Sequence, residues 1–158
     1  ILSDCGTYRY RLTRETGTGT GICNFVMLNP STADATVDDP TIRRCVGFAR
    51  SWGYERLVVT NLFAFRATNP AALEDGSFFD VVGPRNDRNL IDEAERADIV
   101  VCAWGCHGEI QRRGERVREM LGVGPLHVLR LTAKGHPSHP LYLPAMLRPV
   151  VWSEAASR

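Results

Sequence analysis

Four short runs in the chain are apolar on both alternating positions: "ICNFVML" (22–28), "RLVVTNLFAF" (56–65), "DIVVCAWG" (98–105) and "PLHVLRL" (125–131). A strand with one wet face alternates apolar and polar residues. A strand apolar throughout has both faces covered, which in a chain of this kind means a parallel sheet between layers of helix. The intervening segments fit. Asp39-Pro40 reads as an N-cap followed by proline at the first helical position, and Ile42, Cys45, Val46 and Ala49 then recur at helical spacing until Gly53. "PRNDRNLIDEAERA" (84–97) opens a second helix, and "EIQRRGERVREML" (109–121) a basic amphipathic third. The expected fold is therefore α/β: a three-layer αβα domain around a central, mostly parallel four-stranded sheet through 22–28, 57–62, 98–103 and 126–131. "TYRYRLT" (7–13) reads as an edge or hairpin strand, and "AKGHPSHPLYL" (133–143) as a loop leading to a short terminal helix. Nothing repeats and no linker divides the 158 residues, so residues 1–158 read as a single domain.

Composition narrows the class. With 44% hydrophobic and 23% charged residues the chain reads as soluble; no apolar run is long enough for a membrane span and no signal-peptide pattern is visible. The first residue is not Met, so the natural N-terminus is expected upstream. The net charge of +1 means that a polyanion-binding chain must gather its basic residues on one face. Five widely spaced cysteines argue against a disulfide framework and for a reducing, cytoplasmic setting. Cys102, Cys106 and His107 lie close together, but with no evident fourth ligand they read as buried thiols; no metal or other cofactor is expected. Arg112, Arg113, Arg116 and Arg118 read as a solvated helix face, and Asp38 and Asp39 as capping residues.

In a parallel α/β sheet, ligands bind beyond the carboxyl ends of the strands. Polar and unusual residues gather at those four places: Asn29-Pro30-Ser31, then Asn61 and Arg66, then Trp104-Gly105, then His136-Pro137-Ser138-His139-Pro140. The abrupt change from "FVML" to "NPST" is thus expected to mark one wall of a site. His139 sits in a loop without apolar periodicity, which argues against a core histidine.

"FVMLNPSTADATVDDPTIRRCVGFARSWGY", "LVVTNLFAFRATNPAAL", "VGPRND", "VVCAWG" and "HPLYL" strongly resemble a bacterial and phage family known only as a domain of unknown function, DUF1643. More remotely, the ordered signatures "MLNPS", "VVTNLFAF", "CAWGCHG" and "GHPSHPLYL" resemble those of the uracil-DNA glycosylase superfamily. There, a first strand ends in a Gly-x-Asp-Pro or Gly-x-Asn-Pro loop, a second in a base-reading Asn, a third in Leu-Trp-Gly, and a last loop carries His-Pro-Ser-Pro-Leu. Leu28 departs from the glycine of the first signature, Asn29 stands where the fastest members have Asp, His139 is an insertion in the last, and no cysteine spacing suits an iron–sulfur cluster.

This likeness implies an N-glycosidic hydrolase acting on a base in DNA or a nucleotide, with Asn29 orienting water, Asn61 reading the base edge, and either His139 or His136 stabilising the departing base. It further implies Phe63 or Phe65 stacking on the base, Ser31 and Thr32 gripping phosphate, and Pro137, Pro140 and Leu141 pressing into the strand left behind; Pro30, Arg66, Trp104 and Ser138 complete the expected site. The other reading open at this point is a non-catalytic module that holds a nucleotide or nucleic acid in the same cleft.

Overall fold

The structure is a computed structural model and describes residues 1–31, 38–74, 80–122 and 124–154. Six strands form one mixed sheet: β1 (Leu12–Glu15), β2 (Ile22–Met27), β3 (Arg56–Asn61), β4 (Ile99–Cys102), β5 (His127–Val128) and β6 (Val150–Val151), in spatial order β1-β3-β2-β4-β5-β6. The four central strands pair in parallel, with Met27 opposite Asn61 and Val26 opposite Cys102. β1 and β6 flank them antiparallel. The expected four-stranded sheet is thus corrected to six strands. The fourth predicted strand, 126–131, pairs over two residues only, because the chain turns off the sheet and Leu131 instead bridges Pro137. The predicted terminal helix is replaced by β6 and one 3-10 turn, Trp152–Glu154. The first strand begins later than predicted; of its early residues Tyr8 and Arg9 form isolated bridges, to Phe65 and Leu2.

Three helices cover the sheet: α1 (Pro40–Ser51), α2 (Asn86–Arg96) and α3 (Arg113–Leu121). Asp39 caps α1 as expected, its Oδ1 accepting the Ile42 N–H at 2.8 Å. From β2 the chain crosses through α1 to β3 on one side, then through α2 to β4 on the other side of β2. Crossovers of one hand running in opposite directions put their helices on opposite faces. Cys23, Phe25 and Met27 accordingly pack with Ile42, Cys45, Phe48 and Ala49 of α1. Val26 and Leu28 pack with Leu90 of α2 and with Val117 and Leu121 of α3.

The third helix is shorter than its apolar pattern suggests. Cys106–Arg112 forms a 3-10 segment broken at Ile110 and Gln111, and Gln111 (φ 55°) and Arg112 (φ 54°) are left-handed. The Trp104 indole fills the space beside this segment: a Cβ on Gly108 would lie 2.3 Å from its Cδ1, and one on Gly114 2.9 Å from its Nε1. The arginines of α3 are not a uniform solvated face. Arg113 is buried, donating from Nε to the Leu62 carbonyl at 2.8 Å and pairing with Asp87, while the Arg118 guanidinium lies 3.8 Å from the centroid of Trp152. Of the thiols, Cys23, Cys45 and Cys102 are buried, and burial pushes their pKa values up; Cys106, expected inside, is exposed. Among the described residues no group of three potential ligands could hold a metal ion, and no helix is long and apolar enough to cross a membrane.

Two glycines test this packing in opposite directions. Gly108→Ala should destabilise by about 1–3 kcal/mol, because the new methyl meets the Trp104 ring. Gly47→Ala in α1 meets nothing within 4 Å and should stabilise by roughly 0.5–1 kcal/mol through reduced backbone entropy. Urea denaturation of the two variants gives both signs; a neutral Gly108→Ala contradicts the packing described.

Candidate functional site

The loop after β2 leads to α1 on one face of the sheet and the loop after its neighbour β4 leads to α3 on the other, which leaves a crevice at these strand ends. A cavity of about 490 Å³ fills it. Its apolar floor is Leu12, Met27, Ile42 and Val59, on the α1 face of the sheet. Its polar wall carries Asn29, Ser31, Asp39, Thr41, Asn61, Thr68, Thr132, Ser138 and His139, with Arg9 and His107, and it is completed by Pro30, Trp104 and Gly105. Residues from all four expected strand ends therefore meet around one space.

Asn61 ends β3, and its backbone is held firmly. Asn86, fully buried at the start of α2, donates its amide to the Asn61 carbonyl at 2.9 Å and the Leu62 carbonyl at 3.0 Å; Arg113 takes the Leu62 carbonyl as well. The Asn61 residue is 4% exposed, yet among the described residues its side-chain amide has no hydrogen-bond partner. Unlike Asn24 Oδ1 and Asn86 Oδ1, which are sealed and unpaired, the Asn61 amide is open to the cavity, where a polar guest can pair with its donor and its acceptor.

Asn29 is a brace. Its Nδ2 donates to the Pro30 carbonyl at 3.1 Å and to the Ala67 carbonyl at 2.8 Å, tying the loops after β2 and β3 together. Both amide hydrogens are thereby used, and Oδ1 is the atom left for the cavity. An aspartate here would set a carboxylate against two carbonyl oxygens, which accounts for Asn at this position. His139 accepts the Leu141 N–H at its Nδ1, 3.2 Å away, so the neutral ring carries its proton on Nε2. Burial lowers its pKa, against a smaller opposing pull from Asp39.

Other expected residues lie elsewhere. His136 is outside this cavity: its Nε2 is 2.9 Å from Glu109 Oε1, and it lines a separate cavity of about 310 Å³ on the other side of Trp104. Phe63 is wholly buried in the core on the α2–α3 face and cannot stack on a ligand. Phe65 and Arg66 are absent from the cavity wall; Arg66 reaches the Gly6 carbonyl. Pro137 and Pro140 are buried, and Leu141 faces a surface groove instead. Thr32 lies outside the described residues.

Several wall residues escape sequence reasoning. Asp39 reads as a cap and is one, but its second oxygen accepts from Ser31 Oγ at 3.1 Å while the residue lines the cavity. Arg9 falls in a segment that alternates like an edge strand, yet it is 6% exposed on the cavity wall. A polar residue at the end of a strand or in the first turn of a helix beside a strand-end loop is the signal that finds Thr41 and Thr132.

A mixed α/β sheet protein with a polar cavity at the carboxyl ends of its parallel strands is the class that fold and site define. The chain belongs to a family described as protein of unknown function, DUF1643, whose sequence profile matches residues 9–141. No curated protein and no solved structure matches it, so the comparisons lend the glycosylase resemblance no support.

The neutral state of His139 has a pH signature. Its folded pKa lies below the ordinary 6.5, so above that pH the ring is neutral folded and unfolded and contributes no pH dependence. Below it the unfolded chain takes a proton that the folded chain resists, and stability falls as pH drops through the folded value. An NMR titration should show His139 protonating below 6.5, and His139→Gln should flatten the loss of stability on that acid limb. A His139 pKa above 6.5 contradicts this environment.

Proposed function

We propose that the cavity hydrolyses the N-glycosidic bond between a heterocyclic base and its sugar, with DNA or a nucleotide as the substrate class. The observation that carries this reading is the unpartnered Asn61 amide facing the cavity, a donor and an acceptor side by side on the wall that also bears a neutral His139. A base edge offers the complementary pair of groups. As the bond to the base breaks, its electron pair leaves with the base. The His139 Nε2–H donates to the base oxygen on which that charge develops. Asn29 Oδ1 accepts from a water, whose oxygen bonds to the anomeric carbon and whose proton passes to solvent or to the departing base. Ser31 and Ser138 offer hydroxyls for the sugar or phosphate. The parallel core of β3, β2, β4 and β5, with α1 on one face and α2 and α3 on the other, supports the three-layer glycosylase-like arrangement that this reading requires.

A second reading, a non-catalytic module holding a base-bearing ligand, draws on one feature. The carboxylate on the cavity wall, Asp39, is committed to the α1 cap and to Ser31, so among the described residues the wall offers no uncommitted carboxylate base.

The test is incubation with oligonucleotides and nucleosides carrying modified bases, read as free base and alkali-labile abasic sites. In single-turnover assays on the best substrate, His139→Ala should slow base release by roughly 10²–10³-fold, the cost of one anion-stabilising donor. Asn29→Ala should remove most turnover with little loss of binding, and Asn61→Ala should change which base is accepted. His136→Ala should leave the rate within about twofold, since its side chain lies outside the cavity. Binding without base release selects the second reading; equal small losses for all four variants overturn both.

A further inference from the structure

Helix α1 carries Arg43, Arg44 and Arg50 and no acidic residue. Arg43 donates to the Asp38 carbonyl, Arg50 to the Thr16 carbonyl, and the Arg44 guanidinium lies 5.3 Å from the centroid of Phe48; among the described residues none of the three pairs with a carboxylate. Arg11 and Arg88, by contrast, pair with Glu93 and Asp92. Two of the three α1 arginines, Arg43 and Arg44, lie together on one surface groove.

The same helix borders a groove. One stretch, of about 460 Å³, lies between Arg43 and Arg44 on one side and Leu141 and Tyr142 on the other. A second, of about 220 Å³, continues past Gly47 to Ser51 on the helix, with Ala145 opposite. The groove begins at Pro40, between the cavity residues Asp39 and Thr41, and its far wall follows His139 in the chain. Tyr142 is 92% exposed and has φ 70°, a left-handed conformation that tyrosine rarely adopts. The turn that holds it there is closed by the Leu143 N–H on the Pro140 carbonyl at 3.3 Å. The ring is thus presented to solvent opposite two arginines, beside the cavity mouth.

We infer that this groove holds a single strand of nucleic acid, its phosphates on Arg43 and Arg44 and an unpaired base on Tyr142, so that the substrate of the cavity is a nucleotide within a strand rather than a free one. Arginine contacts to phosphate with an exposed aromatic platform between them are what sequence-tolerant single-strand binding requires. An acidic peptide satisfies the arginines but has no use for the tyrosine. The assignment of a strand rests on the base-reading role of the cavity, and its test is separable from that reading.

The test is fluorescence anisotropy with a labelled single-stranded DNA of about 20 nucleotides, at several salt concentrations. The double variant Arg43→Gln/Arg44→Gln should weaken binding about tenfold or more and lower the slope of log K against log salt by about 1.4, two phosphate contacts at about 0.7 each. Tyr142→Ala should weaken binding about tenfold with the slope unchanged. Arg43 and Tyr142 are exposed and Arg44 is half-buried against Phe48, so circular dichroism checks the fold; Arg43→Gln alone, which spares the Arg44–Phe48 contact, should give about half the change in slope. Unlabelled poly-glutamate should not displace the strand. Wild-type affinity in the variants, no strand binding by the wild type, or displacement by poly-glutamate as effective as by DNA overturns the proposal. Base release from free nucleosides with no dependence on Arg43, Arg44 or Tyr142 also overturns it. Strand binding that depends on these residues, without any base release, leaves the groove standing and removes the catalytic reading of the cavity.

Discussion

The site depends on how β3 ends. Beyond the last ladder pair, the carbonyls of Asn61 and Leu62 have no strand to accept from, and they lie buried. Asn86 from α2 takes both, and Arg113 from α3 takes the second while Asp87 balances its charge. Charge-assisted and amide hydrogen bonds in a dry interior are stiff, because the alternative is an unsatisfied carbonyl. Two helices on one face of the sheet thus fix the backbone from which Asn61 projects to the other face. That division leaves the Asn61 side chain without a hydrogen-bond partner among the described residues, facing the cavity.

Asn29 shows the converse arrangement. Its amide is spent on Pro30 and Ala67, and an aspartate in its place would face the same two carbonyl oxygens. In the proposed reaction a water on Asn29 is oriented by an amide oxygen, not deprotonated by a carboxylate, and the charge-stabilising work rests on a neutral imidazole whose tautomer is set by the Leu141 N–H.

What was legible in the sequence follows from periodicity. Strands apolar on both faces and an Asp-Pro helix start are local signals, and β2, β3, β4 and α1 form where those signals fall. The strand-end residues Asn29, Asn61, Trp104, Ser138 and His139 were reachable by topology alone. The edge strand β1 was legible in part, its alternation over 7–13 overlapping the strand at Leu12 and Thr13, whereas β6 is two residues long and takes its conformation from its neighbour. Arg113 was misread because an arginine at helical spacing looks solvated unless the carbonyls it serves, 51 residues away, are known. His136 and His139 lie three apart in an aperiodic loop, and only the fold puts them on opposite sides of Trp104. Phe63 looked available because strand alternation would put it on the face of Asn61, whereas β3 ends at Asn61 and Phe63 packs in the opposite core.

The central claim is that the Asn61 carboxamide is the group that receives a base. Titrating free nucleobases into isotopically labelled protein and following the side-chain amide resonances of Asn29, Asn61 and Asn86 tests it directly. The account predicts that the Asn61 amide shifts with saturation by at least one base, while that of Asn86, sealed behind the sheet, stays in place. Saturable base binding that leaves the Asn61 resonance unmoved, or no binding of any base, would contradict it.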